Sequence, residues 1–306
     1  MPSKLKHLLS TQSLKKSEIE EILALAKQME PYSKKEKQGT QMKGKVLAAL
    51  FYEPSTRTRL SFETAMIRLG GEVISVSDVS TSSISKGESL MDTAKVISQF
   101  ADVVSIRHSQ SGAAHEFSLG SSVPVINGGD GTSQHPSQAL LDAYTIKKEL
   151  GKIDGLTIGI SGDLKYGRTP NSLAFLLSNY DVKFKFISPK ELKMKPEVIT
   201  HLNRLKIPYE ETTKFEEGMK GVDVLYMTRI QKERFENFNE YEKLKNVFVL
   251  NKKMVLKNNP KMLIMHPLPR VNEINPDVDD LKNAAYFRQV GNGVTVRMAI
   301  ISHLLS

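Results

Sequence analysis

"VLAALFYEPSTRTRLSFETA", residues 46–65, decides the fold. It opens on six apolar residues, Val46 to Phe51, the length of a buried strand. Pro54 cannot extend a strand's hydrogen-bond ladder, and Ser55 is a residue type that starts helices. From about 57 to 69 the apolar positions return at helical spacing. Between strand and helix, Ser55 to Arg59 hold three hydroxyls and two guanidiniums. A helix N-terminus offers unsatisfied N–H groups and about half a positive charge. Hydroxyls add donors there, and an arginine grips an oxyanion with two parallel bonds. A lone Ser-Thr pair would read as an N-cap beside surface arginines. Two arginines at the mouth of an α/β sheet favour a phosphate site.

The same pattern of apolar run, polar loop and helix repeats along the chain. Strands are expected at Val46–Phe51, Glu72–Val76, Val103–Ile106 and Pro124–Asn127. Helices are expected at about 57–69, 89–101, 112–119 and 136–150. An earlier helix covers 17–29, with Ser17 and Glu20 spaced as a capping box. After "ELGKIDG" (149–155) the pattern restarts, with strands at Leu156–Ser161, Lys183–Ile187, Asp223–Met227 and Lys261–Met265. Its helices fall at about 169–180, 196–206 and 294–305. Strands alternating with helices predict α/β architecture: two doubly wound parallel-sheet domains divided near residue 150, with the active site in the cleft between them. In such sheets ligands bind at the carboxyl ends of the strands, so the loops after strands should carry the chemistry.

Composition narrows that chemistry. None of the 306 residues is cysteine, which excludes disulfides, thiolate catalysis and Cys-ligated zinc. The seven histidines form no HExxH or closely spaced pair, so no metal and no cofactor is expected. No apolar run reaches the roughly 20 residues of a membrane span, and the N-terminus has no signal-peptide core; a cytoplasmic protein is expected. Forty-three Lys and Arg against 34 Asp and Glu leave +9. The excess is mostly scattered lysine, and no RRM, KH, zinc-finger or basic-zipper pattern appears, so small anions fit better than nucleic acid.

The loops supply the groups such anions need. "SDVSTSSISKGESLMDTA" (77–94) is long and Ser-rich and carries Lys86 before a helix. Arg107 lies one residue past a strand. "NGGDGTSQHPSQ" (127–138) turns on glycines, and His135-Pro136 then opens a helix with Gln138 in its first turn. His135 can donate to a carbonyl oxygen, and Gln138 can read an amide. In the second half Arg168 follows one strand, and Arg229 with Gln231 follows another. "HPLPR" (266–270) holds the carbonyls of Pro267 and Leu268 in a rigid kink. Singly, each arginine reads as surface. Together Arg57, Arg107, Arg168 and Arg229 point to a ligand with several negative charges.

"STRTR" (55–59), "HPSQ" (135–138), "GDLKYGR" (162–168), "TRIQKER" (228–234) and "HPLPRVNEI" (266–274) resemble, in order and over essentially the whole chain, the aspartate carbamoyltransferases. Ornithine enzymes of the group carry a His-Cys-Leu-Pro segment late in the chain, where this one reads His266-Pro267-Leu268-Pro269. The alternative, transfer to another amine such as ornithine, would also need an acidic partner where Arg229 stands.

The resemblance implies carbamoyl transfer from carbamoyl phosphate to L-aspartate, an early step of de novo pyrimidine biosynthesis. It implies a carbamoyl-phosphate-binding domain over 1–150, with a C-terminal helix at about 290–306 packing back on it, and an aspartate-binding domain over 151–289. It places the phosphate on Ser55, Thr56, Arg57, Thr58 and Arg107, and the carbonyl oxygen on Thr58, Arg107 and His135. The carbamoyl NH2 meets Gln138 and the carbonyls of Pro267 and Leu268. The α-carboxylate of aspartate pairs with Arg168, and its side-chain carboxylate with Arg229 and Gln231. Leu268 and Lys86 also meet aspartate, Lys86 as a catalytic residue; Ser82 and Lys86 come from a neighbouring subunit, which implies a homotrimer with shared active sites. Separate regulatory chains are left open. His135 is expected to act as a neutral donor, because nearby arginines disfavour imidazolium. Arg59, two residues past Arg57, is expected to be structural.

Overall fold

A computed structural model describes residues 5–77, 86–235 and 237–306. The chain divides into two compact units, 1–144 with 291–306 and 145–290.

The first unit carries four parallel strands, β1 (Val46–Phe51), β2 (Glu72–Val76), β3 (Val103–His108) and β4 (Val125–Asp130), in the spatial order β2-β1-β3-β4. The helices α1 (Lys16–Ser33), α2 (Thr56–Arg68), α3 (Leu90–Ile97) and α4 (Ala113–Gly120) belong to this unit, and α5 (Pro136–Leu150) begins in it. Five of the six residues of β1 and the first four of β3 are buried, as strands covered on both faces must be. Ala48, Leu50, Val104, Ile106, Ala94 and Phe117 lie in one core cluster.

The second unit carries β5 (Leu156–Ser161), β6 (Val182–Ile187), β7 (Tyr209–Thr212), β8 (Val224–Met227) and β9 (Leu263–Met265), all parallel, in the order β7-β6-β5-β8-β9. Its helices are α6 (Arg168–Leu177), α7 (Pro196–Arg204), α8 (Phe215–Gly218), α9 (Phe238–Leu244) and α10 (Lys252–Asn258), and α11 (Tyr286–Leu305) starts in it. Both α5 and α11 run across the division.

Several boundaries differ from the sequence reading. β3 runs two residues beyond Ile106, so Arg107 lies inside the strand rather than after it. The first helix starts at Lys16: Ser17 already lies inside it, and Glu18 accepts the Lys15 N–H at 2.8 Å, taking the role expected of Glu20. α11 begins at Tyr286 and not near 294, because Gly291 and Gly293 lie inside it. At Gly293 a side chain would press on Arg297 and Leu141. β7, "YEET", has no apolar pattern because it is an edge strand with its glutamates exposed. α8, α9 and α10 are short and were also not expected.

Candidate active site

In each unit the chain leaves its first strand to build outward on one side, then returns to build on the other. The first sheet reverses between β1 and β3, and the second between β5 and β8. At such a reversal the two following loops diverge and leave a crevice at the carboxyl ends of the strands.

In the first unit Phe51 and Arg107 are Cα partners across that reversal. Ser55 is the N-cap of α2, and its hydroxyl makes no cap hydrogen bond. Thr58 is buried, while Thr56 and Arg57 are exposed. Arg107 Nη2 pairs with Glu53 Oε2 at 2.9 Å, and its Nη1 donates to the Gly128 carbonyl at 3.3 Å. Arg59 Nε faces Glu63 Oε1 one turn along the helix at 3.6 Å.

The next loop, after β4, is organised by Asp130. Its carboxylate accepts from the Gly112 N–H (2.8 Å), the Gln134 N–H (3.1 Å) and Asn127 Nδ2 (3.0 Å). Gly129 and Gly131 take φ of 115° and 47°, values that favour glycine. The chain then enters α5 with the His135 carbonyl accepting from the Gln138 and Ala139 N–H groups. His135 is 4% exposed, with Nδ1 3.4 Å from Ser137 Oγ. Gln138 Nε2 donates to Asp142 Oδ1 at 2.8 Å. Lys86 is exposed; Ser82 lies outside the described residues.

In the second unit the loops after β5 and β8 are joined tightly. The Thr228 N–H and Oγ1 both donate to the Ser161 carbonyl, at 2.8 and 3.1 Å. Gly162 has φ +115°, and a Cβ there would collide with the Thr228 carbonyl. Asp163 follows, accepting from the Tyr166 N–H at 2.9 Å and, more weakly, from the Gln231 N–H at 3.5 Å. Burial pushes its carboxyl up to about 6, against the pull of these N–H groups and of Arg229. Arg168 is the first residue of α6. Arg229 pairs with Glu233, with Nη1 to Oε2 at 3.0 Å. Burial opposes the Arg229 charge, and Glu233 overcomes that and raises its pKa.

β9 lies beside β8, and its loop is braced from within. His266 Nδ1 accepts the Leu268 N–H at 2.8 Å, so the ring proton sits on Nε2, which donates to Glu273 Oε1 at 2.7 Å. Burial lowers the His266 pKa and keeps the ring neutral. Glu273 also accepts from the Val271 and Asn272 N–H groups. Arg270 pairs with Asp279 and lies over the rings of Tyr286 and Phe287.

Within each unit, then, the described cations and amides stand on adjacent loops. The sequence reading missed their carboxylates: Glu53, Asp142, Asp163, Glu233 and Glu273. All but Asp142 sit inside the quoted stretches, among hydroxyls, amides and guanidiniums whose chemistry points to anions. Among the described residues no group of three or more His, Asp or Glu could hold a metal ion.

The family model for the "aspartate/ornithine carbamoyltransferase, carbamoyl-P binding domain" matches residues 6–148. That for the "Asp/Orn binding domain" of the same family matches 154–304. The chain is 51% identical over 302 residues to the aspartate carbamoyltransferase catalytic subunit of Methanocaldococcus jannaschii, covering 98% of each chain. It is 50% identical over 294 residues to that of Thermococcus gammatolerans, covering 96% of each. A crystal structure of the M. jannaschii catalytic subunit superposes with a TM-score of 0.91 over 98% of both chains. The Trypanosoma cruzi aspartate transcarbamoylase, in complex with carbamoyl phosphate and aspartate, has a TM-score of 0.91 at 35% identity, covering 99% of this chain and 96% of that one.

Proposed function

The chain belongs to the aspartate/ornithine carbamoyltransferase family, and we propose from the arrangement of its loops how it works. It transfers the carbamoyl group of carbamoyl phosphate to the amine of L-aspartate, releasing N-carbamoyl-L-aspartate and phosphate. The observation that carries the assignment of residues is that each sheet reverses its strand order at a crevice edged by arginine: Arg107 beside the "STRTR" turn in one unit, Arg168 and Arg229 in the other.

Ser55, Thr56, Arg57, Thr58 and Arg107 hold the phosphate, and Thr58, Arg107 and His135 polarise the carbonyl. The aspartate amine attacks the carbamoyl carbon, the tetrahedral oxyanion forms against these donors, and the C–O bond to phosphate breaks. Positioning and preorganised charge suffice for such a step, without a covalent enzyme intermediate. His135 acts as a neutral donor, since the nearby arginines disfavour imidazolium. Gln138 and the carbonyls of Pro267 and Leu268 receive the carbamoyl NH2. Arg168 takes the α-carboxylate of aspartate, and Arg229 with Gln231 the side-chain carboxylate. The departing phosphate is the candidate base for the amine proton.

The working unit is a homotrimer, with Ser82 and Lys86 given to a neighbour's site. The exposed Lys86 and the exposed Leu60, Ile67 and Ile74 on α2 and edge strand β2 support an association of this first unit. The enzyme acts in the cytoplasm in pyrimidine biosynthesis, and the designation of its relatives as catalytic subunits supports a separate regulatory partner. No helix among the described residues is long and apolar enough to cross a membrane. Phosphate release from carbamoyl phosphate, assayed with aspartate and with ornithine in parallel, tests the assignment. Turnover with aspartate alone is expected, and comparable turnover with ornithine would overturn it.

A further inference from the structure

Gln138 and Asp142 lie one turn apart on α5, both buried, Asp142 completely, with Gln138 Nε2 2.8 Å from Asp142 Oδ1. A carboxylate accepts hydrogen bonds and donates none, so the NH2 end of the amide must face it. The opposite end, Oε1, is then the end left to meet a ligand. An amide with nothing to orient it could present either its oxygen or its NH2.

A second buried group of opposite charge acts on Asp142. Arg297, on α11, is 3% exposed, and the Asp142 carboxylate is the charge that acts on it. Burial brings the guanidinium down to about 10 against that attraction. Arg297 also lies over the ring of Phe62, 4.9 Å from its centroid, on the helix that begins at the Ser55 turn. A buried carboxylate placed only to stabilise a helix would be costly, since a Gln–Asp pair of this spacing contributes no more on an exposed face.

We propose that Asp142 is a positioning residue that fixes the Gln138 amide with its oxygen outward, so that the site accepts an N–H donor and selects carbamoyl phosphate over acyl phosphates that carry a methyl in its place. Arg297 supplies the counter-charge. The inference rests on the reading that Gln138 meets the carbamoyl NH2.

The test is the binding, by calorimetry, of phosphonoacetamide and acetonylphosphonate, stable phosphonates that differ only in NH2 against CH3. The intact protein is expected to prefer the amide by about tenfold or more, the worth of one hydrogen bond with its desolvation. In Asp142→Asn the preference should fall about tenfold, toward parity, while acetonylphosphonate affinity stays within about twofold. If Asp142→Asn leaves Arg297 uncompensated and does not fold, Asp142→Asn with Arg297→Gln removes both buried charges and gives the same readout. An unchanged preference, or equal weakening of both ligands, overturns the proposal. Gln138→Ala separates the two levels. A preference that survives Gln138→Ala removes the reading of Gln138 itself. A preference lost in Gln138→Ala but kept in Asp142→Asn removes only the orienting role.

Discussion

Arg107 and Glu53 form an ion pair at 2.9 Å, with 12% and 20% of their side chains exposed. Glu53 follows β1 and Arg107 is the last residue but one of β3, so the pair bridges the reversal of the first sheet. The carboxylate fixes the plane of the guanidinium that the proposed mechanism needs at both phosphate and carbonyl. Glu53→Gln is therefore expected to lower kcat about tenfold, since small misplacements of catalytic groups carry penalties of that order or more. Steady-state rates of carbamoyl aspartate formation give the value.

The two arginines of "STRTR" separate by role. Arg57→Ala is expected to lower kcat at least 100-fold, the scale of losing one oxyanion donor. Arg59→Ala should keep kcat within about threefold, because Arg59 only faces Glu63 at 3.6 Å along the helix and such pairs contribute about 0.3–0.5 kcal/mol. Equal losses in the two variants would remove the distinction.

Arg229 is the proposed partner of the aspartate side-chain carboxylate, so its removal should fall on one substrate. Arg229→Ala is expected to raise KM for aspartate by about tenfold or more, the loss of a charge-assisted hydrogen bond. KM for carbamoyl phosphate should change less than about threefold. Varying each substrate at saturating levels of the other reads both.

Asp163 gives the protein a stability that depends on pH. Its carboxyl has an ordinary value of 3.8 and is raised by burial to about 6 in the folded chain. The folded state thus binds the proton more tightly than the unfolded state. Stability from this group is fully present below 3.8 and is lost as pH rises to about 6. The shift corresponds to about 3 kcal/mol. Asp163→Asn does not ionise, so the unfolding free energy of the variant minus that of the parent should climb between pH 4.5 and 6.5 by about 2 kcal/mol and then level off. Urea titrations across that range measure it, and a flat difference would contradict the assignment.

The fold was legible where burial on both faces writes a continuous apolar run, as in "VLAALF", and where Pro136 or Pro196 marks a first helical turn. It was illegible where an element owes its place to neighbours rather than to its own pattern. β7 is held by pairing to β6, and the glycines that look like breaks in α11 lie within its helix. The site divides in the same way. Hydroxyls and guanidiniums announce an anion by their chemistry, whereas Asp163, Glu233 and Glu273 are acidic residues whose meaning depends on which backbone or side chain they reach. The His266 ring shows this most plainly: only its Leu268 and Glu273 partners reveal which nitrogen carries the proton.

Each sheet has its own reversal of strand order, with its own pair of diverging loops. In the proposed mechanism the phosphate of the donor is held by residues within 55–107 and the carboxylates of the acceptor by residues within 168–231, and only the carbamoyl NH2 draws on both units, through Gln138 and the carbonyls of Pro267 and Leu268. On that proposal, substitutions in "GDLKYGR" or "TRIQKER" retune the acceptor without rewriting the phosphate cradle. A fold divided in this way lets one transfer chemistry diversify by exchanging a few residues after β5 and β8.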